Sequence, residues 1–407
     1  MQFLSGLDLS QDSRVYAETK IIPSVTASER YDTNVFLAPR QFIPPGAKPW
    51  DFVSTLAGQV ELLNKNRLAD TALRASVDGN LFVNNTELNY ISTNVGFSSK
   101  LDGLIGQYIP RAKLKVSNYF RFTPEPPTFM TGVKPQAVDP FALGIQAARA
   151  NTYTNAALVE SSYRLTRTVS LLGDYSYSIF RVGQLFAETS TPGTQTPVLT
   201  QAYFDTNLQT WSLGPGFRLT RSDEVRLKYQ DTSMSFSGPG ISSSFTARSV
   251  QAEYEKTTPT WAANIRGGAT VIDPGSRTFL SGGLNVTGKY GHSTAVRLTL
   301  ARGAAPAFFG TGTALITNNA GVSFEHQLAT LLSIAGNAYY GYSETATEPT
   351  TTFVTYVASA DLRYRLTRTL SASLSYNYLN FDITQPGLAP YLVDRQLVML
   401  SIISKWY

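Results

Sequence analysis

Apolar and polar residues alternate with a period of two along much of this chain. Between positions 370 and 378, every even-numbered residue is Leu, Ala or Tyr, and the odd-numbered residues between them are Ser or Asn. The same separation recurs at Val169–Ile179 and at Phe353–Leu366. Because successive side chains of a β-strand point to opposite faces, this pattern predicts strands with one apolar and one polar face.

A short turn sequence repeats between these segments. Tyr163–Val169 reads YRLTRTV, Tyr364–Leu370 reads YRLTRTL and Phe217–Ser222 reads FRLTRS, with weaker equivalents near positions 254, 290 and 324. Further tight turns are expected at Asn64–Arg67 and Asp102–Pro110. The spacing fits two strands, one tight turn and one longer loop per repeat, which predicts about 18 strands within a range of roughly 16–20.

The charged residues discriminate between a soluble β-sandwich and a membrane barrel. On these strands nearly every Arg, Lys, Asp and Glu shares the parity of Ser, Thr and Asn, whereas the other parity is apolar. A charged Arg or Lys that faces lipid near the bilayer midplane costs roughly 2–4 kcal/mol, which explains such segregation. Closure into a barrel also removes the open sheet edges that a soluble sandwich would have to protect. The final Trp406-Tyr407 resembles the C-terminal signal of bacterial outer-membrane barrels.

These features predict an all-β fold: a transmembrane antiparallel up-and-down β-barrel in the outer membrane of a Gram-negative bacterium. Residues 20–407 are assigned to the barrel, and residues 1–19 to a periplasmic N-terminal segment. The chain opens without the charged and apolar regions of a secretory signal, so we expect that a signal peptide was removed before this numbering begins. The expected surroundings are outer-membrane lipid and lipopolysaccharide.

Composition excludes several kinds of chemistry. The chain has no cysteine, which excludes disulfides, thiolate metal sites, iron–sulfur clusters and covalent c-type haem. Its two histidines, His292 and His326, fall in predicted periplasmic turns and not in a nucleophile–base arrangement. The pairs Gly267-Gly268 and Gly282-Gly283 lack the context of a phosphate-binding loop, so close packing explains them better. We predict no enzyme, no catalytic or metal site, no cofactor and no nucleic-acid partner.

Three long, proline-rich connections interrupt the alternation at Phe36–Trp50, Thr123–Ala148 and Gly183–Tyr203. Proline cannot donate a hydrogen bond to a strand ladder, so these segments are predicted to be loops. Their length makes them candidates to fold over or into the pore, and the alternative is that they are surface loops.

Basic residues occupy the predicted lumenal parity near the periplasmic ends of several strands. We predict that they line the pore and form a basic collar that attracts anionic solutes. The alternative is a mixed, weakly selective lining, because Glu224, Glu253, Glu255, Glu325 and Asp361 lie near the same rim and can pair with them. The predicted pore-lining cations are the basic triplet Arg111, Lys113 and Lys115, together with Arg226, Lys228, Arg363 and Arg365.

The segment Ile22–Phe36 opens with Pro23-Ser24 and leads to Tyr31-Asp32-Thr33-Asn34. It resembles the first-strand signature of a family of outer-membrane barrels encoded with exopolysaccharide and exosortase systems. In that family a Pro-Ser opening precedes a Tyr-x-Asp-Asn-like motif; here the acid is Asp32, and Thr33 precedes Asn34. The resemblance implies an outer-membrane pore for polysaccharide export or surface assembly, with periplasmic or lipoprotein export partners. The residues themselves fit a simpler role, a strand end that enters an Asx-type turn.

Three functions therefore stay open. The first is a conduit for polysaccharide export or surface assembly. The second is a general or mildly anion-selective diffusion porin, since a barrel of roughly 16–18 strands leaves an aqueous channel. The third is a scaffold or sheath around a partner protein such as a lipoprotein or a cytochrome.

Overall fold

The computed structural model describes residues 18–43, 45–124, 149–185, 204–238, 241–291, 293–307, 312–387 and 391–406. They form one sheet of 18 antiparallel strands, in which each strand pairs with its neighbours in the chain and the last strand pairs with the first. The sheet is therefore a closed barrel, and the predicted fold and strand number are confirmed. Residues 1–17 lie outside the described residues, so the periplasmic N-terminal segment stays a prediction.

The strands are long, from 11 to 17 residues. Their bounds are β1 Glu18–Asp32, β2 Asp51–Lys65, β3 Asp70–Phe82, β4 Tyr90–Lys100, β5 Ala112–Thr123, β6 Ala150–Arg164, β7 Val169–Leu185, β8 Asp205–Arg218, β9 Asp223–Gly238, β10 Ile241–Thr257, β11 Trp261–Asp273, β12 Arg277–Tyr290, β13 Thr294–Ala307, β14 Thr313–Ala329, β15 Leu332–Thr345, β16 Thr352–Arg365, β17 Leu370–Thr384 and β18 Tyr391–Lys405. Helix α1 spans Asp102–Tyr108. Across the described residues, no helix has the length and apolar character needed to cross a membrane.

The repeated turn sequence forms the same turn each time. In its first copy, the N–H groups of Leu165 and Thr166 both donate to the carbonyl oxygen of Val169, at 3.0 and 3.1 Å. The Thr166 hydroxyl accepts hydrogen bonds from the two backbone N–H groups that follow Arg167. Equivalent pairs of bonds end on Asp223 and Leu370 in the other copies. These short turns share one rim, which is the periplasmic rim in bacterial outer-membrane barrels.

One predicted turn is wrong. The connection Asp102–Pro110 contains helix α1 and not a tight turn. The helix packs on the preceding β2–β3 turn, where the Leu104 N–H donates to the Leu68 carbonyl at 2.9 Å. A methyl group on Gly103 would lie only 2.0 Å from the carbonyl oxygen of Arg67, so this approach requires glycine. Contact with another turn, which the local sequence does not encode, stabilises the helix.

The outer wall carries the predicted apolar face. On β17, the Leu374 residue is 50% exposed, while the adjacent Ser373 faces the interior and is 5% exposed. Leu56, Val250 and Leu400 are similarly exposed on other strands. A continuous band of this kind on a closed barrel is stable only against lipid.

Toward the long-loop rim, the two faces exchange their character. On β17 the outward residues after Tyr378 are Asn380 and Asp382, and the inward residues are Leu379 and Phe381, which are 5% and 3% exposed. The pairing of β17 with β16 and β18 continues without a register shift through this change. The barrel wall therefore extends beyond the lipid, polar outside and apolar inside, as in a water-soluble protein.

The same exchange occurs on β8, β9 and β10. Trp211 and Tyr229 face outward with their ring centroids 5.2 Å apart, in the manner of an interfacial aromatic belt. Beyond this pair, the outward face of β9 carries Asp231 and three serines, while Met234 and Phe236 point inward and are 1% exposed. The apolar residues inside this end form one cluster, the upper core. Its buried members are Ala150, Phe180, Phe204, Leu208, Met234, Phe236, Phe245, Ala247, Ile272, Phe279, Ala307, Ala314, Leu315, Ile316, Phe353, Leu379, Phe381 and Val393.

The β13–β14 hairpin bends into the barrel at this end. Strands β12 and β13 stop pairing at Gly282 and Arg302, although both continue toward the rim. Residues 313–317 of β14 are buried on both faces, and Leu315 and Ile316 belong to the upper core. We call the described residues 303–307 and 312–317 the tucked hairpin.

Contacts on both sides fix the tucked hairpin. The Ser243 hydroxyl of β10 donates to the Gly312 carbonyl at 2.6 Å, which joins the hairpin to a strand that is not its neighbour in the sheet. Arg277 of β12 forms an ion pair with Glu344 of β15 at 2.5 Å and donates to the Thr345 carbonyl at 3.0 Å. The strands flanking the hairpin are therefore tied to each other across the gap that it leaves.

Candidate functional site: the barrel lumen

The periplasmic half of the lumen is polar and open to water. Arg266, Asn285 and Asn337 face inward, yet each is exposed to solvent. Nearer the long-loop end, the inward polar residues are instead paired with one another and largely buried: on β3 and β4, Ser92 and Asn80 both donate to Asp78, at 2.5 and 2.6 Å. Hydroxyl, amide and charged groups therefore line a water-accessible chamber below the upper core.

Arg226 is surrounded by carboxylates. Its guanidinium lies 2.8 Å from Glu224, 3.5 Å from Glu253 and 2.7 Å from Glu255. One cation therefore meets three carboxylates, one from its own strand and two from β10.

Lys228 reaches across a neighbouring strand. Its ammonium lies 3.0 Å from Asp174 of β7, with β8 between them, and Ser212 of β8 donates to the same carboxylate at 2.9 Å. At Gly214 of β8, a methyl group would lie 1.8 Å from the carbonyl oxygen of Leu227, so no larger residue fits. The glycine keeps the strands close enough for Lys228 to bridge two of them.

The basic triplet is divided by the structure. Lys113 and Lys115 stand on the inward face of β5, and Lys115 pairs with Glu160 of β6 at 2.5 Å. Arg111 lies in the connection before β5, with a φ of 73°. Lys113 is exposed to the lumen.

The third cation group lies on β16. Arg363 and Arg365 face inward near the periplasmic end, and Arg363 lies 3.9 Å from Asp361. Carboxylates thus accompany Lys115, Arg226, Lys228 and Arg363 among the predicted pore-lining cations. This arrangement matches the mixed lining better than a uniform basic collar, and the charge selectivity of the mouth stays a prediction.

The first-strand signature closes the barrel. Asp32 accepts the backbone N–H of Asn34 at 3.0 Å, which is the predicted Asx turn. The same carboxylate accepts the Arg395 Nε–H at 2.9 Å and a second guanidinium hydrogen bond, and both side chains are fully buried. Asn34 donates to the Asp394 carbonyl at 3.2 Å. These bonds join β1 to β18 at the seam, so the structural interpretation of the signature is confirmed.

The proline-rich loop Phe36–Trp50 packs against lumenal residues of the barrel. Phe36 and Ala38 of the loop Phe36–Trp50 are 1% exposed and pack with Val53 and Phe82, which face the lumen. Arg149 donates to the Val35 carbonyl at 3.0 Å. This loop therefore folds into the long-loop mouth. The loops Thr123–Ala148 and Gly183–Tyr203 fall almost wholly on residues 125–148 and 186–203, outside the described residues.

The position of His326 differs from the sequence prediction. His326 lies in β14 and not in a turn, and its Nδ1 is 2.7 Å from the Thr294 hydroxyl. His292 lies outside the described residues. In the part of the chain that is described, no cluster of three or more His, Cys, Asp or Glu residues could hold a metal ion. A methyl group on Gly268 would lie 1.9 Å from the Val250 carbonyl oxygen, which supports the packing explanation for that glycine pair.

Comparison with known proteins identifies no family. No family model matches the chain, and no curated relative matches it. Among solved structures, the ferric enterobactin receptor PfeA of Pseudomonas aeruginosa, as a mutant, shares 10% identity over 95% of this chain and 80% of its own, with a TM-score of 0.46. The siderophore receptor PirA of P. aeruginosa shares 8% identity over 95% and 80%, with a TM-score of 0.43. The outer membrane protein opdK of P. aeruginosa shares 12% identity over 95% and 99%, with a TM-score of 0.42.

The protein is an outer-membrane β-barrel. Closure of the sheet and the lipid-facing apolar band require that location, because only a closed barrel satisfies every backbone group of membrane-spanning strands. Strand parity predicts the inward direction of six of the seven cations, and the exception is Arg111, which lies in the connection before β5. The alternation also places Asp174 on a polar face. The sequence does not reveal the Lys228–Asp174 pair, the Asp32–Arg395 pair or the upper core, because their members lie far apart along the chain.

Proposed function

We propose that this barrel is a conduit that carries a polysaccharide from the periplasm to the cell surface. The observation that carries the proposal is the charge-compensated, water-accessible chamber in the periplasmic half of the lumen. Hydroxyl and amide side chains line it, and most of its predicted pore-lining cations lie beside carboxylates. An uncharged polymer of sugars can exchange its hydrogen bonds with water for bonds to such a wall at little cost.

The upper core supports a conduit that is closed when no polymer passes. Apolar side chains from opposite walls meet inside the long-loop end, and the tucked hairpin packs among them. A diffusion porin works as a permanently open aqueous channel, and an apolar cluster in its mouth opposes that role. A conduit instead requires a mouth that opens only while a polymer passes through it.

A diffusion porin is the second candidate, favoured by the strand number. A barrel of 18 strands has a diameter large enough to enclose an aqueous channel. Such a porin would pass small solutes continuously, with selectivity that follows the net charge of the lining.

Single-channel recording in a planar bilayer tests the proposal. We expect low conductance with rare openings, and reversible current blockades when maltohexaose, a short neutral glucan, is added to the periplasmic side. Polyethylene glycol of matched hydrodynamic size should produce fewer and shorter blockades, because its repeating units have ether oxygens that cannot donate a hydrogen bond, and only its two ends carry hydroxyl groups. A steady large conductance that maltohexaose does not affect would favour the porin and contradict the conduit.

A further inference from the structure

We propose that Tyr339 forms a sugar-stacking subsite on the lumenal wall, at the top of the polar chamber. This inference rests on the proposed conduit and names the part of the wall that holds the polymer. Tyr339 lies on β15 and faces inward, whereas most tyrosines of the barrel, including the adjacent Tyr340, face lipid.

The ring of Tyr339 lies flat on the wall. A methyl group on Gly341, two residues farther along the same face, would lie 3.2 Å from Tyr339 Cε1 and 3.3 Å from its hydroxyl oxygen. A methyl group on Gly321, directly opposite on β14, would lie 3.5 Å from Tyr339 Cδ2. Cε1 and Cδ2 are opposite atoms of the ring, so both of its sides approach the backbone. The ring therefore lies against the two glycines, and the half-buried side chain keeps part of its surface open to the lumen.

Amide and hydroxyl groups surround this face. Asn337 lies on the same inward face, two residues closer to the periplasmic end of β15, and its side chain is exposed. It donates to the Ser359 hydroxyl at 2.6 Å. The Asn319 side-chain oxygen lies 3.3 Å from the same methyl position on Gly341. An aromatic face flanked by amides suits a pyranose ring, whose C–H groups contact the ring while its hydroxyl groups bond to the amides.

The position in the barrel favours a polymer that enters from the periplasm. Val357, directly opposite Tyr339 on β16, packs against the upper core, whereas Asn337 and Ser359 belong to the polar chamber. Tyr339 thus lies at the boundary between the two halves. A sugar chain in the chamber meets this ring before it reaches the apolar mouth.

Equilibrium binding of maltohexaose to the purified barrel in detergent provides the test, because the chamber is reached without opening the mouth. Tyr339→Ala should weaken binding roughly two- to tenfold, the range that one aromatic contact supplies. Tyr339→Phe should bind like the wild type. Tyr340→Ala is the matched control, since it removes the same side chain from the lipid face of the same strand, and its dissociation constant should not change.

A second variant keeps the test interpretable if Tyr339→Ala fails to fold. Gly341→Ala keeps the tyrosine, but its methyl group requires the ring to shift by a few tenths of an ångström, so binding should weaken, by less than in Tyr339→Ala. Equal binding by the wild type, Tyr339→Ala and Gly341→Ala would overturn the subsite and leave the conduit intact. A wild type that binds no maltohexaose would also overturn it. Blockade of the channel by maltohexaose tests the conduit separately.

Discussion

Removal of one upper-core side chain tests the exchange of faces between the two halves of the barrel. Phe381 is 3% exposed on the lumenal face of β17, and its neighbour Asn380 faces outward beyond the aromatic belt. Phe381→Ala should destabilise the barrel, whereas Asn380→Ala should leave its free energy of unfolding almost unchanged. If the mouth were open and filled with water, both substitutions would change the free energy of unfolding by small and similar amounts.

The magnitude follows from the burial of the ring. Truncation of a buried Phe to Ala in a packed core costs about 3–5 kcal/mol, from the lost transfer free energy and the cavity left behind. A value near the low end of this range is expected. The apolar residues of a mouth that can open are able to rearrange, so they can partly fill the cavity that the substitution leaves. A loss of about 3 kcal/mol changes the folding equilibrium constant by roughly a hundredfold. Asn380 is half-buried on the outer surface, away from the packed core, and substitutions at such surface positions usually stay within about 0.5 kcal/mol.

Urea-induced unfolding from phosphocholine vesicles measures this difference. Fluorescence of the four tryptophans reports the transition, and the electrophoretic mobility of unheated samples reports the folded fraction independently. If Phe381→Ala and Asn380→Ala unfold at the same urea concentration with the same slope, the lumenal apolar residues do not form a core, and the closed mouth is wrong.

Three further outcomes are expected. Leu374→Arg should impair membrane assembly while Ser373→Arg is tolerated, as scored by the folded fraction in outer-membrane preparations; equal assembly would contradict the assigned faces. Replacement of all three residues of the basic triplet by Ser should reduce a mild anion preference, measured as the reversal potential in dilute salt, and the change should be small because Lys115 is paired with Glu160. Arg277→Ala should increase the frequency of channel openings, because it unties the strands flanking the tucked hairpin; identical opening rates would exclude that ion pair from closure.

The fold could be predicted from local sequence because a membrane barrel repeats one simple rule. Alternation marks the strands, and the turn sequence at Tyr163–Val169 and its copies marks the periplasmic rim. Each signal depends on residues close together in the chain. The helix at Asp102–Tyr108 was missed because its stability depends on contact with the β2–β3 turn.

The candidate site was predicted only in part. The inward direction of Lys113 and Lys115 follows from strand parity, but their partners do not. Asp174 and Lys228 lie 54 positions apart along the chain, and Asp32 and Arg395 lie 363 positions apart. Such pairs form only when the register of every intervening strand is set.

The sequence by itself determined that this protein is a barrel of long amphipathic strands, because the side-chain period of a strand is a local property. Only the tertiary structure decided which face is inside at each level. After Tyr378 the apolar residues change from even to odd positions, and that change alone is compatible with a bulge or with the end of a strand. The unbroken pairing of β17 with β16 and β18 excludes both alternatives and places Leu379 and Phe381 inside the mouth. The physical reason is that lipid surrounds one half of the strand and water surrounds the other, so the same alternation serves two opposite environments.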